Sequence, residues 1–294
     1  MKTRGIIKLA AAAVLAAAGA ASIAPASFAT ESGGTLKKIA DSGAVAIGYR
    51  ESSIPFAYLD DAQKPVGYSI DLCAKIVDRI GQALGREVQV RYVPVNPKTR
   101  IPLLANGTID LECGATTNNL TRQQQVAFLP TTFITGTKLL VRKDGGIQSV
   151  KDLEGKSIAL PQGTTNERAI KEQIAKLGLN VRVLPVKEHA EGMLALETGR
   201  VDAYSTDHIL LAGLISKSRT PDAYAVVGDF LSFDPYAIMV RRDDSAFELV
   251  GRQALSELFR SGEIDAIYAK WFDPLGVAQT DLLQAAFRIQ AFPE

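Results

Sequence analysis

Short apolar runs rich in β-branched residues alternate with helical patterns along this chain, and this alternation limits the possible folds more than any other feature. Residues 44–49 (AVAIGY) form the first run, and residues 69–84 place apolar side chains at helical spacing until Gly85 ends the helix. Further short runs lie at 88–93 and 109–113. Strands that alternate with helices predict βαβ units and a mostly parallel sheet.

The same pattern begins again in the second half of the chain. Four strands are predicted at 137–141, 156–160, 181–186 and 201–204; a turn at 150–155 separates the first two, and helical patterns separate the others. A last strand at 236–242 and two helices after it are too few to build a third core, so they should return to the first unit. We therefore predict an α/β fold with two α/β lobes joined by a two-crossing hinge. The predicted bounds are 35–131 plus 236–294 for lobe one, 137–231 for lobe two, and 132–136 and 232–236 for the hinge.

The amino terminus has the pattern of a secretory signal. Residues 1–29 combine basic residues, an Ala-rich apolar run and the small-residue end Ser27-Phe28-Ala29, which predicts cleavage after Ala29 and export. This segment holds three of the 33 basic residues and none of the 32 acidic ones, so the mature chain has a slight acidic excess. A general nucleic-acid binder needs a basic excess, and that class is excluded.

The two cysteines, Cys73 and Cys113, are too few for a disulfide-built scaffold or a four-cysteine zinc site. An oxidising compartment permits a disulfide between them, and two buried thiols are the alternative. His189 and His208 lack the spacing of metal ligands, and the chain has no GxSxG, P-loop or HExxH motif. We expect no catalytic residues, no metal and no cofactor.

Polar clusters follow most of the predicted strands, at the end where open α/β sheets bind their ligands. They predict a polar cleft between the lobes, and they lie at 49–53, 113–119, 163–165, 187–189 and 205–207, with Arg100 and Arg122 nearby. Taken singly, each has a plainer explanation. An arginine after a strand is commonly a surface or ion-paired group, His189 could be a surface histidine, and the threonines and Asp207 could be helix caps.

Five long runs occur in the order typical of one known family: VGYSIDLCAKIV, ATTNNLTRQQQVAF, VKDLEGKSIALPQGTT, ALETGRVDAYSTD and IDAIYAKWF. Across residues 35–272 the chain resembles the periplasmic polar amino-acid binding proteins of ABC importers, the family 3 solute-binding proteins. The runs RESSIPF, TRIPLLANGTID and ECGATTNN resemble most its glutamate/aspartate-binding member. The resemblance implies a type II periplasmic binding protein that delivers L-glutamate or L-aspartate to an inner-membrane ABC permease. We expect a periplasmic monomer.

The resemblance also implies a role for eight side chains or main-chain groups. Arg122, Thr117 and the Thr164 end of a lobe-two helix should meet the α-carboxylate of the ligand. Asp207 and the Ala115 carbonyl should hold its α-ammonium. The side-chain carboxylate should be held by cations at Arg50, Arg100 and His189. The chain differs from that member at Pro97 and Pro161, where hydroxyl residues would add hydrogen bonds.

The charges agree with this assignment. A dicarboxylic amino acid carries two carboxylates and one ammonium, and each buried charge needs an opposite charge. Arginine suits the carboxylates because its planar fork binds them bidentately. A periplasmic dehydratase of the same fold, acting on a dicarboxylate such as prephenate or arogenate, is the alternative. Such an enzyme needs an acid at the reacting centre, and Glu112 or Glu188 would have to supply it.

Overall fold

The computed structural model describes residues 34–293. The predicted signal peptide at 1–29 lies outside these residues. Within the described part of the chain, no helix has the length and apolar character needed to cross a membrane.

The described residues form thirteen strands, several of them very short. They are β1 Ala44–Tyr49, β2 Ser52–Ser53, β3 Ala57–Leu59, β4 Pro65–Val66, β5 Gln89–Pro94, β6 Leu111–Glu112, β7 Val126–Thr135, β8 Thr137–Arg142, β9 Ser157–Pro161, β10 Arg182–Val186, β11 Ala203–Asp207, β12 Tyr224–Val227 and β13 Asp234–Arg241.

The described residues also form ten α-helices. They are α1 Thr35–Ser42, α2 Tyr68–Leu84, α3 Arg100–Ala105, α4 Leu120–Gln123, α5 Thr165–Leu177, α6 His189–Glu197, α7 His208–Lys217, α8 Ser245–Ser261, α9 Glu263–Phe272 and α10 Asp281–Gln290. α2 follows the amphipathic pattern of the sequence: its apolar face is buried, and Gly85 in the left-handed conformation ends it.

Two five-stranded sheets organise the molecule. The first has the order β5-β1-β6-β13-β7 and the second the order β10-β9-β11-β8-β12, and a small sheet joins β2, β3 and β4. We call the first sheet with its helices lobe one and the second sheet with its helices lobe two. α8, α9 and α10 follow β13 and pack on lobe one.

The prediction of mostly parallel sheets is wrong for half of each sheet. β5, β1 and β6 run parallel, as do β10, β9 and β11. However, β13 is antiparallel to both of its neighbours, β6 and β7, and β8 is antiparallel to β11 and β12. β8 and β13 are the strands that enter a sheet directly from a strand of the other lobe, with no helix between to return the chain for parallel pairing. The sequence analysis did not predict β7 or β12.

The chain passes between the sheets twice. It crosses from β7 to β8 at Gly136 and returns from β12 to β13 over residues 228–233. The two crossings touch, because a Cβ atom at Gly136 would lie 2.2 Å from the Ser232 carbonyl oxygen. Only glycine fits at this contact. We propose that these two crossings form the hinge.

The core of lobe one contains a cluster of aromatic rings around Phe56, which is fully buried. The centroids of four rings lie 5.1–6.0 Å from the Phe56 centroid, in edge-to-face geometry. They belong to Tyr68, Phe133, Tyr236 and Phe272. Edge-to-face pairs add to the stabilisation from burial alone.

Replacing Phe56 by alanine should therefore lower the free energy of unfolding by about 3–5 kcal/mol, because it removes a buried ring and leaves a cavity. Urea unfolding followed by circular dichroism measures this. Phe233→Ala is the matched control, because Phe233 is 64% exposed and its loss should cost less than about 0.5 kcal/mol. Equal losses for the two variants would contradict the packing described.

Cys73 and Cys113 are joined by a disulfide, so the structure contains the first of the two states that the sequence allowed. Both residues are fully buried. Cys73 belongs to α2, and Cys113 directly follows β6. The bond therefore fastens α2 to the start of the segment that continues to Ala115 and Thr117.

Candidate functional site

A small, narrow cavity lies where the two lobes meet, with polar residues from both of them in its wall. Its lining residues are Arg50, Arg100, Ala115, Thr117, Arg122, Thr164, Thr165, Asn166, His189, Thr206, Asp207 and Leu210. All eight residues that the sequence analysis assigned to ligand binding are in this set. What each of them binds stays a prediction.

Three arginines from separate parts of lobe one converge on this cavity. Arg50 follows β1, Arg100 begins α3, and Arg122 lies in the short helix α4. Their exposed fractions are 1%, 2% and 8%. Buried like charges repel one another and lose hydration, so such an arrangement favours the binding of anions.

Arg100 is held by contacts within lobe one. Its Nη1 donates to the Ala115 carbonyl at 3.3 Å and to the Thr116 hydroxyl, which donates to Glu112 at 2.7 Å. The Glu112 carboxylate lies 3.9 Å from the same nitrogen. Burial, and after it the charge of Arg122, lowers the pKa of Arg100 to about 9. The guanidinium remains charged at neutral pH, in surroundings that favour a further anion beside it.

Arg50 has a different partner, on the opposite lobe. Its Nη2 donates to Glu188 Oε2 at 2.8 Å. Among the described residues, the buried Nε atoms of Arg50 and Arg100 have no hydrogen-bond acceptor. Buried donors without acceptors are rare in folded proteins, so these two N–H groups indicate an acceptor that is not part of the protein.

Arg122 connects to a network that crosses between the lobes. Its Nη1 donates to the Thr117 carbonyl at 2.8 Å. The hydroxyls of Thr117 and Thr165 both donate to Asp234 Oδ1, at 2.8 and 2.9 Å. Asp234 begins β13 and is buried, so it joins a lobe-one threonine to a lobe-two threonine. The Thr117 hydroxyl, predicted to face a ligand carboxylate, is engaged with Asp234 in this arrangement.

Asp207 ends β11 and is buried. Its carboxylate accepts hydrogen bonds from Asn166 Nδ2 at 2.9 Å and from the Tyr236 hydroxyl. Burial, and after it the negative charge of Asp234, raises the pKa of Asp207 to about 8. Although Asp207 precedes α7, its side chain makes no capping hydrogen bond to that helix among the described residues. The cap explanation is therefore not supported.

His189 does not fit its prediction as a cation. It begins α6, is buried, and places Nδ1 2.7 Å from the Tyr204 hydroxyl. Burial, followed by the charges of Arg50 and Arg100, holds the pKa of His189 well below its ordinary value. The imidazole is therefore neutral at pH 7 and can contribute a hydrogen bond but no charge. The two nearby guanidiniums make a third positive charge at this place unfavourable.

Thr164 is the N-cap of α5, as the plainer explanation proposed. Its hydroxyl accepts from Glu167 N at 3.0 Å and donates to the Pro161 carbonyl at 2.8 Å. The hydroxyl is therefore occupied within lobe two. What Thr164 brings to the cavity is the amino-terminal end of a 13-residue helix, whose dipole favours anions. The Ala115 carbonyl, assigned to an ammonium, accepts from Arg100.

The sequence analysis missed several residues of the site. Asn166 follows a helix cap, a position whose side chains and N–H groups often face ligands, and that was a usable signal. Thr165 and Thr206 lie in the predicted polar clusters 163–165 and 205–207, but no role was assigned to either of them. Asp234 and Leu210 carried no such signal, because their places depend on how the lobes pack.

Within residues 34–293, no group of three or more His, Cys, Asp or Glu side chains is placed to hold a metal ion.

The pattern of the bacterial extracellular solute-binding proteins, family 3, matches residues 45–274. The L-glutamate/L-aspartate-binding protein of Pseudomonas aeruginosa is 44% identical over 241 residues, which cover 81% of this chain and 80% of the relative. The glutamate/aspartate import solute-binding protein of Escherichia coli is 40% identical over 262 residues, covering 88% and 87%.

A solved structure adds a comparison of the fold. The ancestral amino acid-binding protein AncCDT-1, described as a precursor of cyclohexadienyl dehydratase, has a TM-score of 0.71 and 28% identity. The match covers 81% of this chain and 99% of that structure.

Proposed function

This chain belongs to the bacterial extracellular solute-binding proteins, family 3, and we propose on that premise that it captures L-glutamate or L-aspartate in the periplasm and passes it to an ABC importer. Its fold is the two-lobed α/β fold of type II periplasmic binding proteins. The single observation that supports the ligand most is the convergence of three buried arginines on a cavity that also contains Asp207.

The charges of the cavity suit an acidic amino acid. Arg122 would bind the α-carboxylate together with the amino-terminal end of α5. Arg50 and Arg100 would bind the side-chain carboxylate, for which their Nε atoms are available. Neutral His189 would add a hydrogen bond there. A ligand with an uncharged side chain would bring no second carboxylate to these two buried Nε donors, and buried donors left without an acceptor are costly.

Closure of the lobes would complete the site. Ligand would dock first on the arginines of lobe one, and lobe two would then bring α5, His189 and Asp207. The ligand favours the closed arrangement because only there are both sets of contacts made. An inner-membrane permease would recognise that arrangement, and the protein would act as a monomer.

The contacts of the two candidate acids favour a binding role over catalysis. Glu112 accepts from Thr116 and faces Arg100, and Glu188 is paired with Arg50. Both carboxylates are engaged with a guanidinium of the protein itself, so neither stands free at a reacting centre. We therefore propose that the protein is not an enzyme. Incubation of the purified protein with prephenate or arogenate should yield no product.

Thermal unfolding with a panel of amino acids tests the proposed ligand. At 100 times the dissociation constant a ligand stabilises the folded state by about 2.7 kcal/mol. For a chain of this size that raises the Tm by about 5–10 °C. L-Glutamate or L-aspartate should produce such a rise, whereas equal concentrations of L-glutamine, L-arginine and L-histidine should do little. If glutamine raised the Tm as much as glutamate does, the proposed specificity for acidic amino acids would be refuted.

Binding should also release a proton from Asp207. Its pKa of about 8 leaves it mostly protonated at pH 7, but an α-ammonium beside it would favour the carboxylate and lower that pKa. The complex then holds fewer protons than the free protein, so affinity should increase as pH rises from 6 to 8, by up to about tenfold per pH unit.

Calorimetry at pH 7 in phosphate and in Tris measures the proton release, because the two buffers absorb a proton with different heats. The binding heat of the wild type should depend on the buffer, and Asp207→Asn should abolish that dependence. A buffer-independent heat in the wild type would place the ammonium elsewhere.

A further inference from the structure

One ion pair bridges the lobes at the edge of the cavity. Glu188, in the lobe-two loop before α6, accepts from Arg50 of lobe one at 2.8 Å. The same carboxylate oxygen accepts from the Ser52 hydroxyl at 3.2 Å. Ser52 in turn accepts from the backbone N–H of Ala190 at 3.3 Å. Two groups of lobe two are thus held by two neighbouring side chains of lobe one.

This pair differs from the surface ion pairs of the molecule. The Arg50 side chain is 1% exposed and that of Glu188 is 17% exposed, so water screens their attraction much less than it screens an exposed pair. The partners are 138 positions apart in sequence, so no local geometry holds them together. Their contact exists only while the two lobes meet.

We propose that Glu188 is a positioning residue of the binding site. Its ion pair with Arg50, which we call the latch, holds lobe two against lobe one. Glu188 accepts from Nη2 of that guanidinium, while Nε has no acceptor among the described residues. Lobe closure and the orientation of Arg50 are thereby coupled. The part of this inference that concerns ligand release rests on the proposed function. The part that concerns closure of the protein alone does not.

Two consequences can be measured. Without the latch, the protein by itself should spend less time with its lobes together. A bound ligand should also escape faster, because opening precedes release. Since a hydrogen bond to a charged partner is involved, the release rate should rise about tenfold.

The test compares Glu188→Gln, which keeps the shape and removes the charge, with Glu191→Gln. Glu191 lies on α6 and accepts only from Lys187 N of its own lobe among the described contacts, so it is a matched control. Small-angle X-ray scattering of the protein alone gives the radius of gyration, and a chase experiment with labelled L-glutamate gives the release rate. Glu188→Gln should increase the radius, the release rate or both, whereas Glu191→Gln should change neither.

A double-variant cycle shows whether Glu188 acts through Arg50. In an Arg50→Gln background, Glu188→Gln should have no further effect on either quantity. An effect that persists there, or a Glu188→Gln protein that behaves like Glu191→Gln, would overturn the proposal. If the wild type fails to bind glutamate, the proposed function fails, and the scattering comparison still decides whether the latch exists.

Discussion

Replacing Arg122 by alanine should weaken the binding of every amino acid ligand by at least about 100-fold. Arg122 is buried beside Thr117 and is the arginine assigned to the α-carboxylate, a group that all amino acids share. Removing one member of a buried, hydrogen-bonded charge pair costs about 2–5 kcal/mol, because the other charge is left buried without a partner. Calorimetric titration with glutamate, aspartate and glutamine measures the loss.

Two further variants show whether the loss comes from the site itself. Arg122→Lys keeps the charge but not the planar fork, so it should lose part of the affinity. Arg242→Ala removes an exposed arginine that donates to the Gln124 carbonyl outside the cavity, and it should bind as the wild type does. Near-native affinity in Arg122→Ala, with the fold intact by circular dichroism, would remove Arg122 from the α-carboxylate.

Replacing Arg100 by methionine should lower the affinity for glutamate by about 100-fold or more. The affinity for glutamine should fall by less than about tenfold. Methionine retains much of the apolar volume but removes the charge assigned to the side-chain carboxylate. It also leaves buried Glu112 without its guanidinium neighbour, so the remaining negative charge repels the acidic ligand. Titrations with the two ligands on one protein preparation give the ratio directly.

The loss of Arg100 could also destabilise the fold, because Glu112 is fully buried. Arg100→Met combined with Glu112→Gln removes both charges of the pair and restores neutrality. In the double variant, the affinity for glutamate should still fall more than the affinity for glutamine. Equal losses of the two ligands in both variants would place Arg100 outside the side-chain pocket.

The sequence alone predicted much of the fold because its signals were local. The apolar stripe of α2 and the glycine after it define a helix within 17 residues. β7 was missed because it contains Pro130 and reads as a polar, Thr-rich segment after residue 129. Its strand conformation comes from pairing with β13, about 100 positions away, and such pairing leaves no local pattern.

The site was predictable to the extent that its residues follow strands or begin helices. Arg50, Arg100 and Asp207 were found on that rule and on the family resemblance, and all three line the cavity. The charge state of His189 could not be predicted, because its pKa depends on burial and then on two arginines that the fold brings close. The roles of Asp234 and Glu188 depend on contacts between lobes, which a sequence pattern does not encode.

The central claim is that the cavity selects an amino acid with a second carboxylate. Calorimetric titration of the mature protein with L-glutamate and L-glutamine tests it most directly, because the two ligands have nearly the same shape and differ in one charge. We predict one-site binding of glutamate with a Kd at least about tenfold below that of glutamine. Equal dissociation constants, or tighter binding of glutamine, would contradict the claim.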